Sequence, residues 1–123
     1  MGGILQVDAT MIDNAPKAIS LFKNLWQTRV LVVLNHREQL QFQNFLPQAN
    51  ISAQKITCSL ALSEFNGIQK TKHSESILYG KLSALSGQSD CWRITAALGF
   101  TTVEGFIDAD SGDLLFVWDI PEG

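Results

Sequence analysis

Residues 91–120 read CWRITAALGFTTVEGFIDADSGDLLFVWDI and form the longest run of strand-forming residues in the chain. A polar turn interrupts this run at 108–113, where short Asp and Ser side chains can bond to their own backbone and Gly112 tolerates a positive φ. Within 103–108, Val103, Gly105 and Ile107 alternate with Glu104, Phe106 and Asp108. The residues at 114–118, in contrast, are all apolar. A strand that is wetted on one face alternates, so this pattern predicts a strand covered on both faces, by a helix or by a partner chain.

The strongest helix signal lies near the N-terminus. Asp13 and Asn14 are capping residues, and Pro16 follows in the first turn, where its missing N–H costs nothing. Apolar residues then recur with helical spacing at Ala15, Ala18, Ile19, Phe22, Leu25 and Trp26. We therefore predict a helix over 15–26 whose aromatic side packs against the C-terminal sheet.

The segments between this helix and the C-terminal run are predicted mainly as strands. Residues 29–34 form a short segment that is rich in β-branched residues and lacks alternation, which is typical of a buried strand. Similar reasoning predicts an edge strand at 4–7, further strands at 51–65, 76–85 and 91–98, a polar loop at 66–73, and a hairpin turn at 86–90. Gly99, where the pattern breaks, indicates a bulge or bend.

Residues 36–46 carry two conflicting signals. Gln39 to Gln43 alternate strictly between polar and apolar, as a half-buried strand does. However, Asn35 with Glu38 three residues later resembles a capping box, which favours a short helix that ends before Pro47. We favour the strand, as part of a hairpin, because period-2 alternation is the primary signal. The helix stays open as the alternative.

The order of elements predicts an α+β fold, with one N-terminal helix packed on a curved, mainly antiparallel sheet. This general shape resembles that of cystatin-like domains. The length of 123 residues fits one globular domain over 1–123.

Composition and charge narrow the possible partners. The chain is 46% hydrophobic and 17% charged, and its net charge of −3 favours neither nucleic acid nor an anionic membrane. No leader pattern or long apolar run is visible, so we expect a soluble, cytoplasmic protein. Six acidic residues follow the last basic residue: Glu104, Asp108, Asp110, Asp113, Asp119 and Glu122. We interpret them as a solvated turn and tail. The alternative is an acidic patch that faces a basic partner.

No catalytic motif, cofactor motif or metal-ligand spacing is present in the sequence. Asp108, Asp110 and Gly112 do not fit the frame of a calcium loop. Cys58 and Cys91 lie in predicted strands outside any CxxC pair, so we expect buried, reduced and poorly reactive thiols. Whether these two could form a disulfide depends on strand register, which the sequence does not show. We therefore predict no catalytic residue, no cofactor and no metal.

Two functions fit these observations. The first is a non-catalytic binding or accessory module that acts through protein–protein contact or self-association, most simply as a homodimer. Phe106, Leu115 and Val117 are its predicted interface residues, because strand 114–118 is apolar on both faces. The second is a cone-shaped protein that binds a small ligand, and is possibly an enzyme on a small apolar substrate. Trp92 and Tyr79 are the residues expected at the mouth of its pocket.

Overall fold

A computed structural model describes residues 12–71, 76–81, 84 and 90–120, with backbone alone at 68–71 and 76. The helices are α1 (Ala15–Leu25), α2 (His36–Phe42), α3 (Phe45–Gln48) and α4 (Cys58–Thr71), with a π-helical turn (Trp26–Val30) and a 3-10 turn (Leu31–Val33) after α1. The strands are β1 (Asn50–Thr57), β2 (Ser76–Gly80), β3 (Asp90–Leu98), β4 (Thr101–Asp108) and β5 (Leu114–Ile120). The edge strand expected at 4–7 and most of the turn expected at 86–90 lie outside the described residues.

Helix α1 confirms the helix predicted at 15–26. The Asn14 side chain accepts the Lys17 N–H at 2.9 Å, and Pro16 lies in the first turn. The strand predicted at 29–34 is wrong, because the chain continues as helical turns. The reason is a stripe of buried residues spaced four apart, Phe22, Trp26, Val30 and Leu34, which extends the buried face of α1. Packing along this stripe outweighs the strand preference of the valines.

The segment 36–46 is also mainly helical, so the hairpin that we predicted there is wrong. Asn35 and Glu38 form both hydrogen bonds of a capping box at the start of α2. Phe42 and Phe45 turn inward, and their ring centroids lie 5.9 and 5.8 Å from that of Trp26. The capping box and this aromatic contact determine the local structure, and the alternating glutamines are a surface pattern of the helix.

The strand predicted at 51–65 is correct only in its first half. Strand β1 ends at Thr57, whose hydroxyl accepts the Leu60 N–H at 3.1 Å and so caps the start of α4. Cys58, Ala61 and Phe65 are buried with helical spacing, while Leu60 is exposed. The loop predicted at 66–73 is helical as far as Thr71, and the strand predicted at 76–85 is described as strand only over β2.

The sheet is antiparallel at every described pairing and has the strand order β1-β3-β4-β5-β2. The β3–β4 turn contains Gly99 at φ +60°, and the β4–β5 turn contains Gly112 at φ +78°. In the β4–β5 turn, Asp108 Oδ1 accepts the N–H groups of Asp110 and Ser111 at 2.8 and 3.0 Å. The α+β fold, with a helix packed on a curved antiparallel sheet, is therefore confirmed, whereas the likeness to cystatin-like domains stays a prediction.

Two hydrophobic clusters cover the two faces of the sheet. On one face, the rings of α1 and α2 pack on residues that include Ile94, Val103, Ile107 and Val117. On the other, α4 packs on Cys91, Phe106, Phe116 and Trp118. The β5 strand is thus buried on both sides, as its sequence predicts, and the second cover is α4 of the same chain. None of the described helices is long and apolar enough to cross a membrane.

Candidate functional site

Trp92 and Tyr79, the residues predicted at a pocket mouth, lie in different surroundings. Trp92 is buried in the cluster beneath α1, and its indole N–H donates to the Ile12 carbonyl at 3.1 Å. Tyr79 is half-buried on β2 and lines a surface pocket of about 400 Å³ together with Arg29 and Asp113. Trp92 is not among the residues that line this pocket. The two aromatic residues therefore serve separate parts of the fold.

The three residues predicted at an interface lie in or against the core of the chain. Phe106 packs under α4, Val117 packs under α1, and both are almost completely buried, while Leu115 is half-buried beside the α4 cluster. The open face that suggested these residues is closed by α4. A Val117→Lys substitution would place an unpaired charge in the core, so it is unsuitable as a probe of self-association.

Among the described strands and turns, exposed apolar side chains lie on β2, at Ile77, and at the end of the sheet that contains the β3–β4 turn. Phe100 projects from this turn and is 88% exposed. Leu98, at the end of β3, and Leu40, on α2, are exposed to 38% and 63%. We call these three residues the sheet-end patch.

A shallow pocket of about 320 Å³ separates two members of the sheet-end patch, Leu40 and Leu98. Its floor contains Phe42 and Phe45, and its remaining lining residues are polar but uncharged: Gln41, Asn44, Gln48 and Thr101. Leu98 and Thr101 are also the residues that flank the β3–β4 turn. An exposed phenyl ring and a pocket with an uncharged lining therefore lie at the same end of the sheet.

Sequence reasoning missed the sheet-end patch for a definable reason. Gly99 was interpreted as a bulge within a curling strand, and Phe100 was left without a role. In the structure, Gly99 and Phe100 are the two-residue loop of a hairpin. A large aromatic residue directly after Gly99, in a two-residue hairpin loop, was the available signal.

A second group of functional side chains is a polar network beneath α4. Arg93 on β3 forms an ion pair with Glu64 on α4 and also donates to Gln54 on β1. On the next strands, the Trp118 indole N–H donates to Glu104 Oε1 at 3.2 Å. Glu104, Asp108 and Asp119 are half-buried, so the interpretation of the C-terminal acids as a solvated turn and tail is wrong for these three. The network joins β1, β3, β4 and β5 to α4 through paired groups, which is typical of a structural element.

Glu104 is the carboxyl group whose environment is most informative. Burial raises its pKa, while the Trp118 hydrogen bond and the Arg93 charge act in the opposite direction with smaller effect. Burial also raises the pKa of Asp119. A carboxyl group with a raised pKa in the folded state stabilises the fold below its unfolded pKa, and this contribution is lost as the pH rises through the folded pKa.

We therefore expect Glu104→Gln to increase the free energy of unfolding at neutral pH. The amide removes the cost of a buried charge, and its carbonyl still accepts the Trp118 N–H. The gain should shrink as the pH falls toward about 4, where glutamate is itself protonated in the unfolded chain. Urea unfolding at both pH values measures it, with the exposed Asp113→Asn as the control for net charge. A variant less stable than wild type at neutral pH would contradict this assignment.

No metal-binding group is found in the part of the chain that the structure describes, since no three His, Cys, Asp or Glu side chains there could hold an ion. His36 is exposed at the start of α2, and His73 lies outside the described residues. Cys58 and Cys91 are free, buried thiols beneath α4. Asp108 is engaged with backbone N–H groups of its own turn, which accounts for its position without a ligand.

Comparison with known proteins adds no assignment. No family model, no curated protein and no solved structure matches the chain.

Proposed function

We propose that this chain is a non-catalytic binding module that self-associates through the sheet-end patch. The observation that carries the proposal is the exposure of Phe100, at 88% the most exposed of the large apolar residues described. Transfer of a phenylalanine side chain from water to an apolar environment is worth about 1.5–3 kcal/mol. Leu98 and Leu40 extend the same surface, so a contact here removes three apolar side chains of each protomer from water.

A second copy is the partner that this surface fits. A two-fold interface needs one patch that is complementary to itself. Here the phenyl ring of Phe100 is the protruding part and the pocket between Leu40 and Leu98 is the receiving part. A two-fold rotation brings each ring to the pocket of the other protomer. The pocket lining is uncharged, and the acidic β4–β5 turn lies at the opposite end of β4. Two chains of net charge −3 can therefore meet at this surface with little repulsion.

The free edge of the sheet at β1 offers a less suitable contact. Strand β1 is an edge strand and exposes Ser52, Gln54 and Lys55. Lysine on an edge strand is a common device against edge-to-edge pairing. The sheet-end patch has no such residue among those that line its pocket.

The size of the sheet-end patch sets the expected affinity. Stable interfaces bury about 800 Å² on each partner, which is more than three side chains and their rim supply. We therefore expect a dimer with a dissociation constant on the order of micromolar to hundreds of micromolar. Such a contact responds to concentration, and it suits a module that is brought to high local concentration by its surroundings.

Sedimentation velocity over a dilution series tests the proposal. The wild-type chain should shift from monomer toward dimer as its concentration rises into the range stated above. Phe100→Ser should abolish the shift, because it removes the protruding ring from a side chain that makes little contact within the protomer. Val33→Ser is the matched control, since it removes another exposed apolar side chain, outside the sheet-end patch, and should leave the dimer unchanged.

Two results would contradict the proposal. A wild-type chain that remains monomeric at several hundred micromolar excludes self-association of functional strength. A dimer that is equally stable in wild type and Phe100→Ser places the contact on another surface. Circular dichroism of both variants confirms that the fold is retained.

A further inference from the structure

The two cysteines of the chain meet at one point beneath α4. In the β1–β3 pairing, Ile56 is opposite Cys91, and Cys58 follows Ile56 by two residues. Both thiols are buried in the same hydrophobic cluster, and each lies close enough to the other to influence its pKa. Two residues separated by 33 positions in the sequence are thus brought together in one buried cluster on one face of the sheet.

The local structure holds this arrangement in place. Cys58 is the first residue of α4, immediately after the Thr57 cap, so its backbone is part of an ordered junction between strand and helix. Cys91 lies within β3, between two neighbouring strands. Phe106 and Phe116 pack around the pair on the sheet. Neither thiol forms part of the sheet-end patch.

We propose that Cys58 and Cys91 are a redox-active pair, in which oxidation forms a disulfide that fastens the start of α4 to β3. Both side chains already lie in one buried cluster beside the β1–β3 pairing, and a disulfide requires neighbouring backbone positions of this kind. This inference is independent of the proposed self-association.

The oxidant is an organic disulfide, and the reaction is thiol–disulfide exchange. One cysteine loses its proton, and the thiolate attacks a sulfur of the oxidant, forming a mixed disulfide and releasing one thiolate. The second cysteine, also as thiolate, attacks the protein sulfur of the mixed disulfide and releases the other half of the oxidant as a thiolate. The protein loses two protons and two electrons, and the oxidant becomes two thiol molecules once its thiolates take up protons.

Burial controls when this exchange occurs. It raises the pKa of both thiols, and the nearby carboxylates of Asp90 and Asp108 act in the same direction. Exchange requires a thiolate and access for the oxidant, so the folded, reduced pair reacts slowly. The first step therefore depends on local opening at the start of α4, and the second step is fast because the other thiol lies in the same cluster.

The test uses intact mass measurement of the wild-type chain in excess oxidised glutathione. We expect conversion to a species that has lost two hydrogens, with no thiol left to alkylate after unfolding. Cys58→Ser and Cys91→Ser should instead carry one glutathione after the same treatment, because the resolving thiol is missing. If the folded protein does not react, the wild-type chain is unfolded and refolded in the same redox buffer, which removes the barrier of burial.

The consequence for stability provides a second measurement. The disulfide closes a loop across the 32 residues that lie between positions 58 and 91, so it restricts the unfolded chain. The oxidised protein should unfold with a urea midpoint about 1–3 M above that of the reduced protein. The reduced wild type is the control, since it has the same sequence. Mixed disulfides on both cysteines, disulfides between chains, thiols that stay reduced after refolding, or a lower midpoint for the oxidised form would each overturn the inference.

Discussion

Replacement of Phe22 by Ala should lower the free energy of unfolding by about 3–5 kcal/mol, the range for loss of a buried aromatic side chain. The Phe22 ring is completely buried and its centroid lies 6.1 Å from that of Trp26. It also occupies the space above Gly105, where a Cβ atom would lie 2.2 Å from the ring. The substitution therefore leaves a cavity at the point where α1 meets the centre of the sheet. Urea unfolding followed by tryptophan fluorescence measures the loss.

Phe100→Ala is the matched control for this substitution, because it removes the same side chain from an exposed position. Measured at a concentration where the chain is monomeric, it should change the free energy of unfolding by no more than about 0.5 kcal/mol. A loss below about 1 kcal/mol for Phe22→Ala would mean that α1 does not form the cover of the sheet.

Replacement of Phe65 by Ala should have an effect of similar size, about 3–5 kcal/mol, on the opposite face. The Phe65 ring meets that of Phe116 edge-on, with centroids 5.3 Å apart, and its centroid lies 4.3 Å from that of Trp118. Aromatic pairs of this kind add about 0.5–1.5 kcal/mol to the contribution of buried area. Because Trp118 is part of the contact, its fluorescence should also report the change directly.

The control on the same helix is Leu60→Ala, which truncates a side chain of α4 that is about half exposed. Its expected cost is below about 1 kcal/mol. Equal losses for the two substitutions would indicate that α4 does not pack through Phe65. In that case the second face of the sheet would be open, and Phe106 would return as a residue that a partner could reach.

A structure is predicted correctly from the sequence where local hydrogen bonding and tertiary packing favour the same conformation. The α1 cap at Asn14 and the polar turn with Gly112 can form before any distant contact exists, and both are confirmed. The doubly apolar β5 strand correctly indicated two covered faces, since burial on both sides leaves no need for alternation.

The errors arise where helix and strand preferences compete over short apolar segments. Residues 30–34 look like a strand by composition, but Val30 and Leu34 continue the buried stripe of α1. Period-2 alternation at 39–43 outweighed the capping box in our interpretation, whereas the cap determines the structure. Ile56, Cys58, Leu60 and Leu62 recur at every second position, yet the buried positions follow helical spacing once Thr57 has capped α4.

Helix α4 also bears on the predicted interface residues. Without α4, the far face of β5 required a partner, and Phe106, Leu115 and Val117 became interface residues. With α4 in place, that face is covered. The most exposed of the large apolar residues described is instead Phe100, at the end of the sheet. The meeting of Cys58 and Cys91 depends on the register of β1 against β3, which has no signature within either segment.

The most direct test of the central claim is an intermolecular nuclear Overhauser measurement on a one-to-one mixture of isotope-labelled and unlabelled chains. A two-fold contact through the sheet-end patch should give cross-peaks between the Phe100 ring of one protomer and the Leu40 or Leu98 methyl groups of its partner. These cross-peaks should disappear in Phe100→Ser and persist in Val33→Ser. Cross-peaks confined to β1 residues such as Lys55, or none at several hundred micromolar protein, would contradict the account.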